Sequence, residues 1–425
     1  MGNINTLKFN IITISIILVA FFTFNNKLLT IALPILFILY AVLSFYSLLN
    51  KNAFVFLFIS LLAVPCSKFF SFNGLIFSQS LFILITIIGL LYYKIIIKQI
   101  FIFPIVILVY LVTVSLGNVG FGDFITGLSL VPFIFVIPFF SKLKINPKTI
   151  ISFAYIPLIF SALYVYQIMN LSELRISGYV FQANGFALIM TTFLLLMFAK
   201  YLFQRKLIDL IICIIYVILI ILTGSRTGFV SCIIGVLITY ILYGGSYKVN
   251  YNSIIIIILL SVITLIVFSS NLFENTRFSE ISSEDLSVNR MYIWKDIFTQ
   301  LGNKVYFGLG LGGYDQIIND IKYNRTPHSY YVSTISSIGI FGLLLLLSYL
   351  ISIVFKINNF IKLNYNKLSN EDRIIGISLI ASFFSLVIAS FTNTSSFSLI
   401  VALLWFICVG YFYGKINSSY SKKTD

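Results

Sequence analysis

Four polar positions in an otherwise apolar chain have the chemistry to hold an anion or move a proton. Arg226 stands in Leu222-Thr223-Gly224-Ser225-Arg226-Thr227-Gly228, a tight turn between two apolar runs. It falls at the start of the second run, where a helix dipole disfavours a cation. An anionic partner would offset that penalty; an arginine snorkelling to lipid headgroups accounts for it equally well from spacing alone. His328, the one histidine in the chain, lies in Pro327-His328-Ser329-Tyr330-Tyr331. Its unperturbed pKa of roughly 6.5 suits proton transfer at neutral pH, although a lone histidine is more often incidental. Arg290 lies in Asn289-Arg290-Met291-Tyr292-Ile293-Trp294, and Arg175 in Glu173-Leu174-Arg175-Ile176-Ser177-Gly178. Their ordinary readings are a solvated charge and a loop ion pair with Glu173, worth about 0–1 kcal/mol.

The elements that must position these groups are membrane helices. Of 425 residues, 60% are hydrophobic and 10% charged, with mean hydropathy +1.04. Soluble domains carry about 25% charged residues, so no soluble fold hides this much apolar surface. A helix crosses the hydrocarbon core with roughly 20 apolar residues. Such stretches fall near 9–24, 28–49, 53–66, 74–93, 100–116, 123–140, 150–169, 180–200, 207–223, 227–243, 252–270, 330–355, 373–392 and 396–413. The expected fold is all-α: a polytopic membrane bundle of 12–14 spanning helices, with residues 1–270 and 330–425 in the membrane and 271–329 as one long external loop. The four cysteines (Cys66, Cys213, Cys232, Cys408) sit far apart inside apolar runs, without a metal-ligand or CxxC spacing.

Charge placement orients the bundle. The net charge of +15 is carried by Lys and Arg in short loops, which is how topology signals are placed and not how a nucleic-acid surface looks. With a cytoplasmic N-terminus and alternating spans, eighteen of the 28 basic residues fall inside. Six of the ten outside belong to the loop 271–329, and long loops obey the positive-inside rule weakly. Both termini are therefore expected in the cytoplasm.

The loop is not featureless. Val288, Met291, Trp294, Ile297, Phe298 and Leu301 recur at helical spacing, with Asn289, Arg290, Lys295, Asp296 and Gln300 largely elsewhere on the wheel. A second short helix is expected from Tyr314 to Ile321. Between them, Gly308-Leu309-Gly310-Leu311-Gly312-Gly313 permits positive φ and close backbone approach. It lacks the Lys-Ser/Thr of a phosphate-binding P-loop. Mid-membrane charges of the kind that ion-coupled carriers use are nearly absent.

Taken in order, these segments resemble the O-antigen ligase and O-antigen polymerase superfamily of bacterial membrane glycosyltransferases. The residues that carry the resemblance are Arg175-x-x-Gly178 with Asn184, Thr223-Gly224-Ser225-Arg226, Arg290-x-x-x-Trp294, Gly308–Gly313, His328, and Ile338-Gly339-Ile340-Phe341-Gly342. They cover roughly 175–345; the N-terminal half matches only in being hydrophobic. The family often has Asn after this histidine, and this chain has Ser329.

The resemblance implies an enzyme of the bacterial cytoplasmic membrane that uses polyprenyl-pyrophosphate-linked glycans, with no cofactor and no metal. It implies Arg226, Arg290 and His328 as the catalytic set, the arginines on the pyrophosphate and the histidine beside the acceptor. Arg175, Asn184, Ser225 and Arg325 are the expected substrate-binding residues. The implied partners are the lipid-linked glycan, the bilayer and other polysaccharide-assembly membrane proteins, with no nucleic acid. A polymerase of repeat units, a ligase of finished chains and, outside the class, a lipid-linked sugar flippase all remain open at this level.

Overall fold

The computed structural model describes residues 71–72, 75–76, 137, 140–143, 145–155, 157–158, 183–244, 286–310, 317, 329–392 and 399–421, with backbone alone at 71–72, 75–76, 286–290, 399–403 and 420–421. Apart from a four-residue antiparallel hairpin, β1 (Ser71–Phe72) and β2 (Leu75–Ile76), the regular structure is helical. That hairpin occupies the start of the helix expected over 74–93. The spans expected near 9–24, 28–49, 53–66, 100–116 and 252–270, and the count of twelve to fourteen, fall outside the described residues.

The described helices are α1 (Pro147–Ser152), α2 (Ala183–Gln204), α3 (Leu207–Leu222), α4 (Arg226–Tyr243), α5 (Leu286–Leu301), α6 (Tyr330–Asn364), α7 (Asn370–Ala389) and α8 (Leu399–Ser421). Among the described residues, four stretches are long and apolar enough to cross a membrane: α2, α4, Tyr330–Lys367 and α7. The first and last bury 78% of their apolar window, so α2 and α7 form the centre of the bundle. α3 presents Leu207, Ile208, Ile211, Ile214, Ile215, Ile218 and Leu222 away from that centre. A helix apolar on every side, as α2 is, needs neighbours all round; a helix at the rim leaves one apolar face outward.

Small residues let the central helices approach closely, as membrane packing requires. A Cβ on Gly228 of α4 would lie 2.4 Å from that of Ala187 in α2. One turn pair further on, Gly235 faces Leu195 of α2 and Ser385 of α7. Ser385 donates its hydroxyl hydrogen to the Ser231 carbonyl, pinning α7 to α4.

The helices alternate in direction, so the bundle has two chemically different ends. One end gathers the C-termini of α2, α4, α6 and α8. Ten of the thirteen basic side chains described lie there (Lys142, Lys148, Lys200, Arg205, Lys206, Lys356, Lys362, Lys367, Arg373, Lys415). Two buried carboxylates are neutralised at this end. Asp209 accepts from Lys200 Nζ at 2.7 Å, with the Tyr155 hydroxyl bridging the pair. Asp372 holds Lys415 at 2.5 Å and also accepts from Tyr411 and Ser369. Ser369 and Asp372 form a capping box that starts α7. The opposite end gathers the N-termini of α2, α4, α6 and α8, and it is the end that carries Arg226.

Candidate functional site

The turn before Arg226 is built by its own hydroxyls. Thr223 ends α3; its Oγ1 donates to the Ile220 carbonyl at 2.6 Å and accepts from the Ser225 N–H at 3.1 Å. Gly224 turns with φ 60°, which is available to glycine without Cβ strain. Ser225 is the N-cap of α4, and its Oγ accepts from the Gly228 N–H at 3.1 Å. Thr223 and Ser225 are both buried. The serine expected to bind substrate is thus already committed as a helix cap, which accounts for its type without a ligand. Arg226 follows as the first residue of α4 and is half-buried.

Two further contacts gather other segments beside it. Thr227 and Thr392 share a hydrogen bond, which ties the start of α4 to the chain just beyond α7. The Tyr330 N–H donates to the Ser390 carbonyl at 2.9 Å, and the Tyr331 hydroxyl to the Val387 carbonyl at 2.8 Å. The start of α6 is therefore fastened to the same end of α7 that holds α4. Ser329, buried, caps α6 by accepting from the Val332 N–H. Asn184, half-buried on the first turn of α2, sits one turn before the Ala187–Gly228 contact. The structure thus brings Asn184, Ser225, Arg226 and Ser329 to one end of the bundle. His328, Arg175 and Arg325 lie outside the described residues. Neither Thr392 nor Ser390 stood out in the sequence: hydroxyls at the end of an apolar run look like any loop start.

The segment that carries α5 folds back on α6. Ile293, Ile297 and Leu301 of α5 are buried with Leu309, Ile317 and Val332, and Trp294, Phe298 and Ile335 pack against them. The expected apolar face is present, with one correction: Met291 is 68% exposed and does not belong to it.

Helix α6 is broken where this loop meets it. Gly339 has φ 69° and ψ 177°, a conformation essentially restricted to glycine. A break leaves backbone groups without helical partners, and at membrane depth these must be satisfied by protein. The loop supplies the partners. The Leu309 N–H donates to the Ser336 carbonyl and the Gly310 N–H to the Ser337 carbonyl, both at 2.8 Å. The Phe341 N–H, the usual helical donor to Ser337, turns to the Tyr306 carbonyl at 3.3 Å. Residues 306–310 thus form a clasp alongside the broken turn, flanked by Tyr306, Phe307 and Phe341 ring contacts. The sequence reading drew 330–355 as one continuous helix. The signal for the break was glycine on both sides, Gly308 and Gly310 in one segment and Gly339 in the other, which meet across space.

This end can hold a multivalent anion. A guanidinium is charged at every relevant pH and grips phosphate oxygens with two parallel N–H groups. The N-terminus of α4, which carries Arg226, adds partial positive charge there.

Residues 211–347 match the family model for O-antigen ligase. The matched span begins in α3, contains Arg226, α5 and both halves of the clasp, and ends in α6. No curated protein matches the chain. The chain is a helical membrane protein whose 211–347 segment matches the O-antigen ligase family, and that match supports an enzyme of the O-antigen ligase or polymerase type.

Proposed function

We propose that the protein is a polysaccharide polymerase that joins polyprenyl-pyrophosphate-linked repeat units at the outer face of a bacterial cytoplasmic membrane. The observation that carries this reading is the meeting of α4 and α6 at Ser390 and Thr392, beside Arg226. It supports the reading because the start of α4, which carries Arg226, and the start of α6 are fastened to the same end of α7.

In the reaction, an acceptor sugar hydroxyl attacks the anomeric carbon of the lipid-linked donor. The new C–O bond forms as the bond from that carbon to the pyrophosphate oxygen breaks. Arg226 and Arg290 neutralise the charge growing on the leaving pyrophosphate. His328 accepts the hydroxyl proton. One displacement of this kind inverts the anomeric centre. Arg175, Asn184 and Arg325 hold the remaining glycan and phosphate oxygens.

A ligase that moves a finished chain to a lipid or wall acceptor shares this chemistry and is favoured by the description of the matched family. Purified protein given a polyprenyl-pyrophosphate oligosaccharide separates the readings. A ladder of longer lipid-linked glycans is expected. Transfer only to an added foreign acceptor would make it a ligase. Translocation with no new glycosidic bond would make it a flippase and sink the reading.

The basic end of the bundle is assigned to the cytoplasm because the ten basic side chains described there set orientation through the positive-inside rule. A cysteine at Ser418, exposed near that end, is expected to resist an impermeant maleimide in intact cells and to react after permeabilisation. Reaction in intact cells would invert the topology and remove the site from the outer face.

A further inference from the structure

At the basic end, far from Arg226, a groove of ≈ 300 Å³ runs between the last turns of α4 and α6. Its floor is apolar, formed by Ile377 and Ile380 of α7, and Ile241 of α4 makes one wall. The other wall differs: Asn358 and Lys362 stand four residues apart on α6, and Tyr365 follows on the 3-10 turn just beyond its end. Arg373 stacks on the Tyr365 ring, 4.3 Å from its centroid, and its Nε donates to the Tyr365 carbonyl at 3.0 Å. The mouth therefore has two cations close to an aromatic ring and an amide, above a greasy floor.

We propose that this groove binds one anionic glycerophospholipid from the leaflet at the basic end. An acyl chain lies along Ile377 and Ile380, and the phosphate meets Lys362 and Asn358. Two observations favour this occupant. The groove lies within membrane-crossing helices at the level where α6 ends, so bilayer lipid is what reaches it. Among the described residues, ten basic side chains at this end face only three acidic ones (Asp209, Glu371 and Asp372), and each of those acids already pairs with a lysine. A basic pocket between spanning helices is the arrangement that recognises acidic headgroups. The site is separate from the proposed glycan chemistry and does not depend on it.

Full-length protein in a neutral detergent can be titrated with dioleoyl phosphatidylglycerol, dioleoyl phosphatidylcholine or inorganic phosphate, with bound lipid counted by native mass spectrometry. Phosphatidylglycerol is expected to be retained over phosphatidylcholine. Lys362→Ala should weaken phosphatidylglycerol retention about fivefold, the worth of one basic side chain near an anionic lipid, and leave phosphatidylcholine unchanged. Ile241→Trp, at a position 47% exposed and so tolerant of size, should narrow the mouth and weaken retention of both lipids. Equal retention of the two lipids overturns the proposal, as does phosphatidylglycerol binding indifferent to both substitutions. Displacement of the lipid by millimolar inorganic phosphate would assign the site to a free anion instead and equally overturn it.

Discussion

Arg226→Ala is expected to lower glycosidic-bond formation by on the order of 10²–10³-fold, the usual cost of removing one group aimed at charge that develops in a transition state. The protein should still insert and fold. Arg226 is half-buried at the first position of α4, where the helix dipole opposes its charge, and Thr223 and Ser225 hold the turn that precedes it. Lysine at 226 keeps the charge and loses the two-pronged grip on phosphate, so Arg226→Lys should fall between wild type and alanine. Ser225→Ala provides the contrast. It removes a helix cap worth ~1 kcal/mol and should lower thermal stability more than turnover per folded molecule. Initial rates with purified proteins, normalised to folded protein, check all three. A wild-type rate for Arg226→Ala would remove Arg226 from the mechanism and leave the snorkelling reading standing.

Much of this site was legible in the sequence, for identifiable reasons. A turn such as Thr223–Arg226 between two apolar runs is a local feature, and local hydroxyl capping fixes its geometry. The boundaries of α3 and α4 accordingly fall within a residue of those expected. The apolar repeat through Ile293, Ile297 and Leu301 is also local, and the loop helix stands where it was placed. What could not be read was pairing at long range. Whether Met291 belongs with the apolar stripe depends on which face α6 covers, and that is decided by Val332 and Leu309, far away in the chain. The Thr227–Thr392 and Tyr330–Ser390 contacts span 165 and 60 residues. No spacing rule reaches so far. Extra length of α6, which runs to Asn364 and not to 355, has a similar cause. Its last turns gain support from packing of Ile357 and Ile361 in the core, despite polar residues that a hydropathy window reads as a loop.

Gly339→Ala is expected to abolish or nearly abolish activity without touching any group that meets substrate. At φ 69° and ψ 177° an alanine is strained by about 1–3 kcal/mol. The larger effect is steric: its Cβ would lie 2.2 Å from the Tyr306 carbonyl oxygen. Backbone on both sides must separate, and the three hydrogen bonds of the clasp go with it, each worth about 0.5–1.5 kcal/mol. Gly308→Ala attacks the same contact from the loop side, where the added carbon would meet the Ser337 carbonyl oxygen at 2.4 Å. Gly302→Ala separates strain from crowding. It too has positive φ, 48°, but nothing lies within 4 Å of an added Cβ. It should cost about 1–2 kcal/mol locally and leave the clasp closed. Amide hydrogen exchange is the direct readout. In Gly339→Ala and Gly308→Ala, protection at Leu309 and Gly310 should collapse, with faster exchange spreading into Ile293–Leu301. In Gly302→Ala, Leu309 and Gly310 should stay protected. On the proposed reading the rate of glycan joining should follow the clasp, because the clasp holds the segment after α5 against α6. If Gly339→Ala kept both the protection at Leu309 and the rate of Gly302→Ala, the clasp would be a packing detail. Positioning of the loop would then have to come from the Ile293–Val332 cluster alone.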